Sequence, residues 1–340
     1  MSARDGMLIR ATLPARYGEA IFWLARYMER IENLARMLDV TESFARDDHG
    51  VGNWRLVAQI NGDEVRFRAR YEQATGADAL RFYMLDGDNP TSIRFAMRAA
   101  YQNARTLRPL ISTEMWSHMN VFNKEIEAIG ATDIAASRLS ALCGRIKDGC
   151  HTHAGLIEAT LYRDQGWYFY QLGKYLERAD QTTRLLDIRY HALARLAADE
   201  GSPIDVHQWH AVLRAASGYE AFRRVNPRGM SPTLVASFLM QNDRFPRSLA
   251  CTMRRMDDAF HQLRGTFGLR GGSHAMERLD ELRAALGQPI GTIIAHGLHE
   301  FLDWTQILLG EITEDLQADF FGERSAPRTE TPALTQAQEA

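Results

Sequence analysis

Apolar residues recur with helical spacing along almost the whole chain, and no stretch shows the alternation that is typical of strands. Between Leu24 and Leu38 they fall at intervals of three and four residues, which places them on one side of a helix. We therefore predict an all-α protein. Similar patterns predict further helices over residues 53–72, 91–109, 112–126, 133–161, 167–198, 205–221, 231–245, 247–266, 275–286 and 290–318.

The polar positions of the first helix also return later in the chain. Residues 24–40, LARYMERIENLARMLDV, are followed 148 positions later by residues 172–188, LGKYLERADQTTRLLDI. A shared core requires only that the apolar positions match, but here the basic, Glu-Arg, acidic, amide, Arg and Asp positions match as well. We infer that the chain contains two related helical halves.

Two weaker similarities extend the repeat. Trp54 and Trp209 lie in similar surroundings, and Asn89-Pro90-Thr91 is similar to Ser231-Pro232-Thr233, each read as an N-cap followed by Pro at the first helical position. The prediction is a helical bundle of two pseudo-symmetric tandem halves. Its predicted divisions are an N-terminal segment (1–19), a first half (20–165), a second half (166–321) and a disordered tail (322–340).

Composition and charge narrow the class of protein. Of the 340 residues, 45% are hydrophobic and 24% charged, and the net charge of −3 gives no long-range attraction to phosphate, so neither nucleic acid nor a membrane is an expected partner. No apolar run approaches the ~20 residues of a membrane span, and no signal-type stretch opens the chain. Three cysteines make no disulfide framework, which favours a cytoplasmic location.

Opposite the apolar stripe, the two repeated helices carry the same kinds of polar side chains. Three interpretations remain open for this repeated face: a solvated surface with local ion pairs, a buried Glu–Arg network, or a binding cleft. The candidate binding residues are Arg26, Glu29, Arg30, Asn33 and Arg36 with their equivalents Lys174, Glu177, Arg178, Gln181 and Arg184; Arg105 and Arg247, which the Asn89/Ser231 register matches, are secondary candidates.

Other potential chemistry has little support. The segment Cys150–His153 contains three possible metal ligands, but no second cluster completes a site. The pairs His207/His210 and His296/His299 lack the Glu-x-x-His frame of helical iron sites. No Ser-His-Asp arrangement is apparent. We therefore predict no catalytic residue, no metal and no cofactor.

The repeated motifs resemble a known family. Tyr27–Asn33 and Tyr175–Gln181 resemble the signature of the bacterial alpha-E domain family, an all-helical domain named for its Glu-Arg motif. Residues 89–93 (NPTSI), 112–116 (STEMW) and 243–248 (DRFPRS) look similar to that family as well. The resemblance covers about residues 7–320, and the change from Asn33 to Gln181 keeps an amide in both copies.

The resemblance implies a partner more than a reaction. Members of that family are commonly encoded beside, or fused to, circularly permuted ATP-grasp proteins and transglutaminase-like proteins. This implies an accessory, non-catalytic or co-catalytic protein that acts with an ATP-grasp amide ligase in peptide synthesis or modification, and that is not an enzyme on its own. A homo-oligomer is compatible with this expectation.

Two alternatives belong to other classes of function. One is a stand-alone enzyme in which Glu29 or Glu177 is a general base and the arginines hold an anionic or peptide substrate. The other is a purely structural scaffold.

Overall fold

The computed structural model describes residues 12–47, 54–71, 75–194 and 203–322. Within these ranges the chain forms helices and turns and no strand, which confirms the predicted all-α class. The predicted disordered tail lies outside the described residues except for Gly322.

The first seven helices precede the second copy of the motif. They are α1 (Ala15–Asp47), α2 (Trp54–Ile60), α3 (Glu64–Arg68), α4 (Gly76–Leu80, continued by a π-helical turn Arg81–Leu85), α5 (Ile93–Thr106), α6 (Thr113–Glu127) and α7 (Ala136–Thr160).

Seven further helices begin with the second copy. They are α8 (Gln165–Ala194), α9 (Pro203–Ala215), α10 (Tyr219–Val225), α11 (Pro232–Gln241), α12 (Leu249–His261, continued by a π-helical turn Gln262–Thr266), α13 (Ser273–Leu286) and α14 (Ile290–Leu316, continued by a π-helical turn Gln317–Phe321). Helix α14 is kinked at Gly297, whose φ of 110° lies outside the helical region.

Helices α1 and α8, which carry the two copies of the motif, pack against each other at the centre of the fold. They run in the same direction, because contacts along them join residues at a nearly constant separation. The backbone N–H of Leu13 donates to Gln165 Oε1 near one end, and Arg26 contacts Glu177 further along. Equivalent positions of the repeat therefore face each other across the helix pair.

The other helices surround this pair in a similar order. Helix α1 packs against α5 and α7, and α6 contacts both of those helices. Helix α8 packs against α12 and α14, and α13 contacts both of them. A whole-half pseudo-symmetry stays a prediction, but the two central helices have corresponding neighbours.

The loops that lead into α5 and α12 are built alike. Ser92 and Ser248 are the N-caps, and each side chain accepts a hydrogen bond from the backbone N–H three residues later. Each serine hydroxyl also donates to a carbonyl six residues earlier, that of Asp86 or that of Asn242. These loops therefore correspond at a separation of 156 residues.

This correspondence replaces the predicted match between Asn89-Pro90-Thr91 and Ser231-Pro232-Thr233. Ser231 is an N-cap with Pro232 at the start of α11, as predicted. Asn89 is not a cap: its side chain is buried and donates to the carbonyl of Phe82 at 3.0 Å. Pro90 therefore corresponds to Pro246, a match that weak sequence similarity did not reveal.

Two predicted helices are each divided into two. The predicted helix over 53–72 is broken at Gly62, where φ is 68°. The predicted helix over 205–221 is broken after Ala215, because Ser217 adopts a left-handed φ of 54°, and α10 begins at Tyr219. Among the described helices, none combines the length and the apolar content that crossing a bilayer requires.

Candidate functional site

The Glu29 carboxylate lies buried between α1 and α8 and is held by groups from three parts of the chain. Arg178 of α8 binds it with two hydrogen bonds, Nε to Oε1 and Nη2 to Oε2, both 2.7 Å. Arg247 Nη1 donates to Oε1 at 2.9 Å, and Asn33 Nδ2 donates to the same oxygen at 3.3 Å. Only 4% of Glu29 is exposed.

The Glu177 carboxylate has a corresponding environment. Arg30 of α1 binds it with two hydrogen bonds, Nε to Oε1 at 2.7 Å and Nη2 to Oε2 at 2.9 Å. Arg26 Nε donates to Oε2 at 2.8 Å, and Gln181 Nε2 donates to Oε1 at 3.4 Å. Glu177 has no exposed surface.

The two Glu-Arg motifs are therefore exchanged between the helices. Glu29 binds the arginine of the second motif, Arg178, and Glu177 binds the arginine of the first, Arg30. The parallel course of α1 and α8 makes this exchange possible. The repeated face is therefore not a solvated surface with local ion pairs. It forms a buried ion-pair network.

Arg247 breaks the correspondence between the two motifs. It comes from the loop before α12 and contacts Glu29, Asn33 and Glu32, the last through Nη2 at 2.6 Å. At the corresponding place before α5 the chain has Thr91, whose hydroxyl hydrogen-bonds to Asn89 and Asp63. Glu177 instead receives its second guanidinium from Arg26.

Of the two secondary candidates, Arg247 is central to the network, whereas Arg105 lies outside it. Arg105 is exposed on α5 and donates only to Gln102 Oε1, one turn away, among the contacts that the structure shows. The register that matched Arg105 with Arg247 was wrong, since it aligned α11, and not α12, with α5.

The remaining candidates lie at the edges of the network. Arg36 contacts Glu32, the hydroxyl of Ser217 and the ring of His151. The corresponding Arg184 contacts Asp180 through Nε at 2.9 Å.

Lys174 is half-buried over the ring of Tyr175. Its pKa is lowered by burial, and the repulsion of Arg178 lowers it further.

Sequence reasoning missed two residues that contact the network, Ser217 and Thr313. Ser217 contacts Arg36, and Thr313 accepts a hydrogen bond from Arg26 at 3.1 Å. Both are distant in sequence from the repeated helices and belong to no motif.

The charges of the network set the ionisation of its carboxylates. Burial by itself raises the pKa of Glu177, but Arg30 and Arg26 outweigh it and lower the pKa to about 2. For Glu29, burial again raises the pKa, but the charges of Arg178 and Arg247 outweigh it and hold the pKa far below its usual range. Both groups are anions at neutral pH, and such weakly basic carboxylates are poor proton acceptors.

A small cavity lies at the end of the network that carries the two amides. Its volume is about 20 Å³, and its walls include Asn33, Gln181 and Arg247 together with the apolar side chains of Met37 and Leu185. A water molecule requires ~10–15 Å³, so the cavity has room for one ordered water beside the two amides.

The potential metal ligands of the segment Cys150–His153 lie in different surroundings. Cys150 and His153 are buried in the core, while His151 is half-exposed and contacts Glu32. Elsewhere in the described ranges one group of potential ligands converges, where His299 Nδ1 lies 2.7 Å from Asp187 Oδ1 and Asp303 lies close by. His207 lies outside the side chains that the structure describes.

Comparisons with known proteins agree with the helical fold and with the motif. Residues 13–321 match the Alpha-E family, described as a predicted alpha-helical domain with a conserved ER motif. Uncharacterised proteins of Mycobacterium bovis and Mycobacterium tuberculosis are each 23% identical over 310 residues, which cover 84% of this chain but 33% of the relative. The chain thus spans about a third of the length of these relatives. No solved structure matches.

Proposed function

The chain belongs to the Alpha-E family, and from that premise we propose that it is a helical accessory protein of an ATP-grasp amide ligase. It acts in peptide synthesis or modification, together with transglutaminase-like proteins, and the partner supplies the ATP chemistry. The family context implied by the sequence motifs is the first support. The mycobacterial relatives, in which the matching region is a third of a longer protein, agree with a module that works beside other domains.

The observation that carries the proposal is that the motif carboxylates are already ion-paired within the chain. Each of Glu29 and Glu177 accepts hydrogen bonds from two guanidiniums inside the chain, and the adjoining cavity accommodates one water. Groups held in this way support a rigid body more readily than they bind a substrate. The stand-alone enzyme with a glutamate base is therefore the weaker alternative, because its base is already ion-paired.

The test is reconstitution with a purified ATP-grasp protein encoded beside the chain. We expect the chain alone to form no amide product from ATP and candidate peptides, and to raise the partner's rate of product formation several-fold. Product formation by the chain alone, or an unchanged partner rate, contradicts the proposal.

Variants separate the accessory role from that of an inert scaffold. Arg30→Gln changes the network, whereas Arg105→Gln changes an exposed arginine outside it. We expect the stimulation to fall in Arg30→Gln protein that remains folded by circular dichroism, and to persist in the matched control Arg105→Gln. Equal stimulation by both variants favours the scaffold.

A further inference from the structure

Positive charge is concentrated in one segment of a chain that is negative overall. Residues 214–255 contain eight arginines, no lysine and two acidic residues, while the whole chain has a net charge of −3. Arg247 is buried in the Glu–Arg network, and the other seven arginines are exposed. The exposed charge therefore needs a separate explanation.

Four of these arginines belong to the end of α9, to α10 and to the turn that follows. The guanidinium carbons of Arg214 and Arg223 lie 5.4 and 5.6 Å from the centre of the same ring, that of Tyr219. Arg224 occupies the last turn of α10, and Arg228 follows it. We call these four residues and Tyr219 the arginine surface.

The arginines of the arginine surface lack the carboxylate partners that Arg278 and Arg283 have. Arg278 contacts Glu311 and Asp315, and Arg283 contacts Asp257 and Asp280. Within the described ranges, the four arginines of the surface form no ion pair with a carboxylate, although Arg214 and Arg223 both lie over the ring of Tyr219. Neighbouring like charges repel, and a bound anion relieves that repulsion.

The backbone beneath the arginine surface is firmly held. The N–H of Gly218, the N-cap of α10, donates to the carbonyl of Leu213 at 2.7 Å, and the preceding Ser217 contacts Arg36. Phe222 of α10 is buried and packs edge-on against Phe238 of α11, with ring centres 5.5 Å apart. A surface that is already ordered loses less conformational entropy when it binds.

We propose that the arginine surface is a docking site for an acidic polypeptide segment that also carries apolar side chains. Guanidiniums bind carboxylates in planar, two-bonded geometry, and arginine and tyrosine are enriched where proteins bind one another. Val225, which follows Arg224, is 51% exposed and offers an apolar contact beside the charges. A nucleic acid fits less well, because its long phosphate backbone is repelled by the negative remainder of the chain.

This docking site goes beyond the proposed function and does not depend on it. An acidic segment could belong to any protein partner, so binding is measured without an ATP-grasp protein. Failure of the peptide to bind leaves the reconstitution experiment unaffected, and failure of reconstitution leaves peptide binding unaffected.

The experiment titrates the full chain against a fluorescent peptide of repeated Glu-Glu-Leu, and against the same peptide with Gln in place of Glu. We expect the acidic peptide to bind, its affinity to fall several-fold between about 50 and 300 mM salt, and the Gln peptide to bind at least tenfold more weakly. The triple variant Arg214→Ala/Arg223→Ala/Arg224→Ala should weaken binding about tenfold or more. Arg283→Ala, an exposed but ion-paired arginine, is the matched control and should bind like the unchanged chain.

Four outcomes overturn the proposal: no binding of the acidic peptide, equal binding of the Gln peptide, unchanged affinity in the triple variant, or tighter binding of an oligothymidylate than of the acidic peptide. Circular dichroism establishes that the triple variant is folded. If it is not, Arg228→Glu replaces it, because Arg228 lies in an exposed turn outside the helices. That charge reversal should weaken binding several-fold, and unchanged affinity again overturns the proposal.

Discussion

At the scale of single residues, the protein buries two carboxylates and surrounds each with guanidiniums. Glu29 and Glu177 are 4% and 0% exposed, and each forms a two-bonded pair with an arginine of the other motif. Such a network adds little stability compared with apolar residues of the same shape, but it becomes costly when one member is removed. We infer that the network serves to specify which helix faces which.

Replacing Arg178 by Gln tests this view. The change removes the two hydrogen bonds that Arg178 donates to Glu29, and the buried carboxylate keeps those from Arg247 and Asn33. We expect the free energy of unfolding, measured by urea denaturation, to fall by about 3 kcal/mol, toward the lower end for a broken buried pair because Arg247 remains. A loss below ~0.5 kcal/mol would contradict the buried network.

The control for this prediction is Arg105→Gln, a change at an exposed arginine that should stay within ~0.5 kcal/mol. In the double variant Glu29→Gln/Arg178→Gln the stranded charge is gone. Its loss of stability should therefore be smaller than the sum of the two single losses, with a coupling of ~0.5–3 kcal/mol.

The lowered pKa of Glu177 predicts how stability depends on pH. In the folded chain the pKa is about 2, against an ordinary value of 4.5, so the unfolded state takes up the proton first as the pH falls. Stability from this pair is complete above about pH 5 and is lost progressively down to about pH 2. Urea denaturation across this range should show a weaker decline for Glu177→Gln than for the unchanged chain.

A surface glutamate provides the comparison for the pH experiment. Glu158 is largely exposed and pairs with Arg163, so Glu158→Gln should keep the full acid decline. If Glu177→Gln and Glu158→Gln show the same decline as the unchanged chain, the Glu177 pair is not the source of the acid sensitivity.

At the scale of helices, the exchange of motifs depends on a close approach of α1 and α8. Gly173 faces the backbone of α1, and a Cβ at this position would collide with the carbonyl oxygen of Phe22. In the first copy the corresponding residue is Ala25, which is buried. The glycine is therefore a packing requirement of the second helix and not a weakness in it.

We expect Gly173→Ala to lower the free energy of unfolding by ~1–3 kcal/mol, because backbone atoms of α1 must move to admit the methyl group. The matched control is Gly155→Ala in α7, where no atom beyond the adjoining backbone of the helix lies within 4 Å of the new Cβ and the residue is exposed. There the better helix propensity of alanine should raise stability by ~0.5–1 kcal/mol. Thermal or urea denaturation that gives both changes the same sign would contradict this account.

At the scale of the whole molecule, the central helices α1 and α8 have corresponding neighbours, but the contact that Arg247 makes with α1 has no equivalent among the described residues of the other half. Helices α5 and α7 pack on α1, and α12 and α14 pack on α8. Arg247 links the loop before α12 to the network of α1, whereas Thr91, its counterpart, hydrogen-bonds to Asn89 and Asp63. The arginine surface is a second difference between the two halves, because it lies around α10.

The sequence by itself determined the all-α class, the repeat and the two Glu-Arg motifs. A helical stripe of apolar residues and a matching set of charges are local properties, and they are visible at positions 24–40 and 172–188 without knowledge of the fold. The same local rules predicted the Ser231 N-cap. They failed at Asn89 and at Ser217, where a buried side chain and a left-handed backbone depend on packing around them.

Only the tertiary structure decided what the repeated charges do. A solvated face, a buried network and a cleft have the same local pattern, because burial is a property of what lies opposite. The parallel packing of α1 and α8 placed Glu29 against Arg178 and Glu177 against Arg30. Arg247 joined them from more than 200 residues away, and no spacing within one helix can encode such a contact.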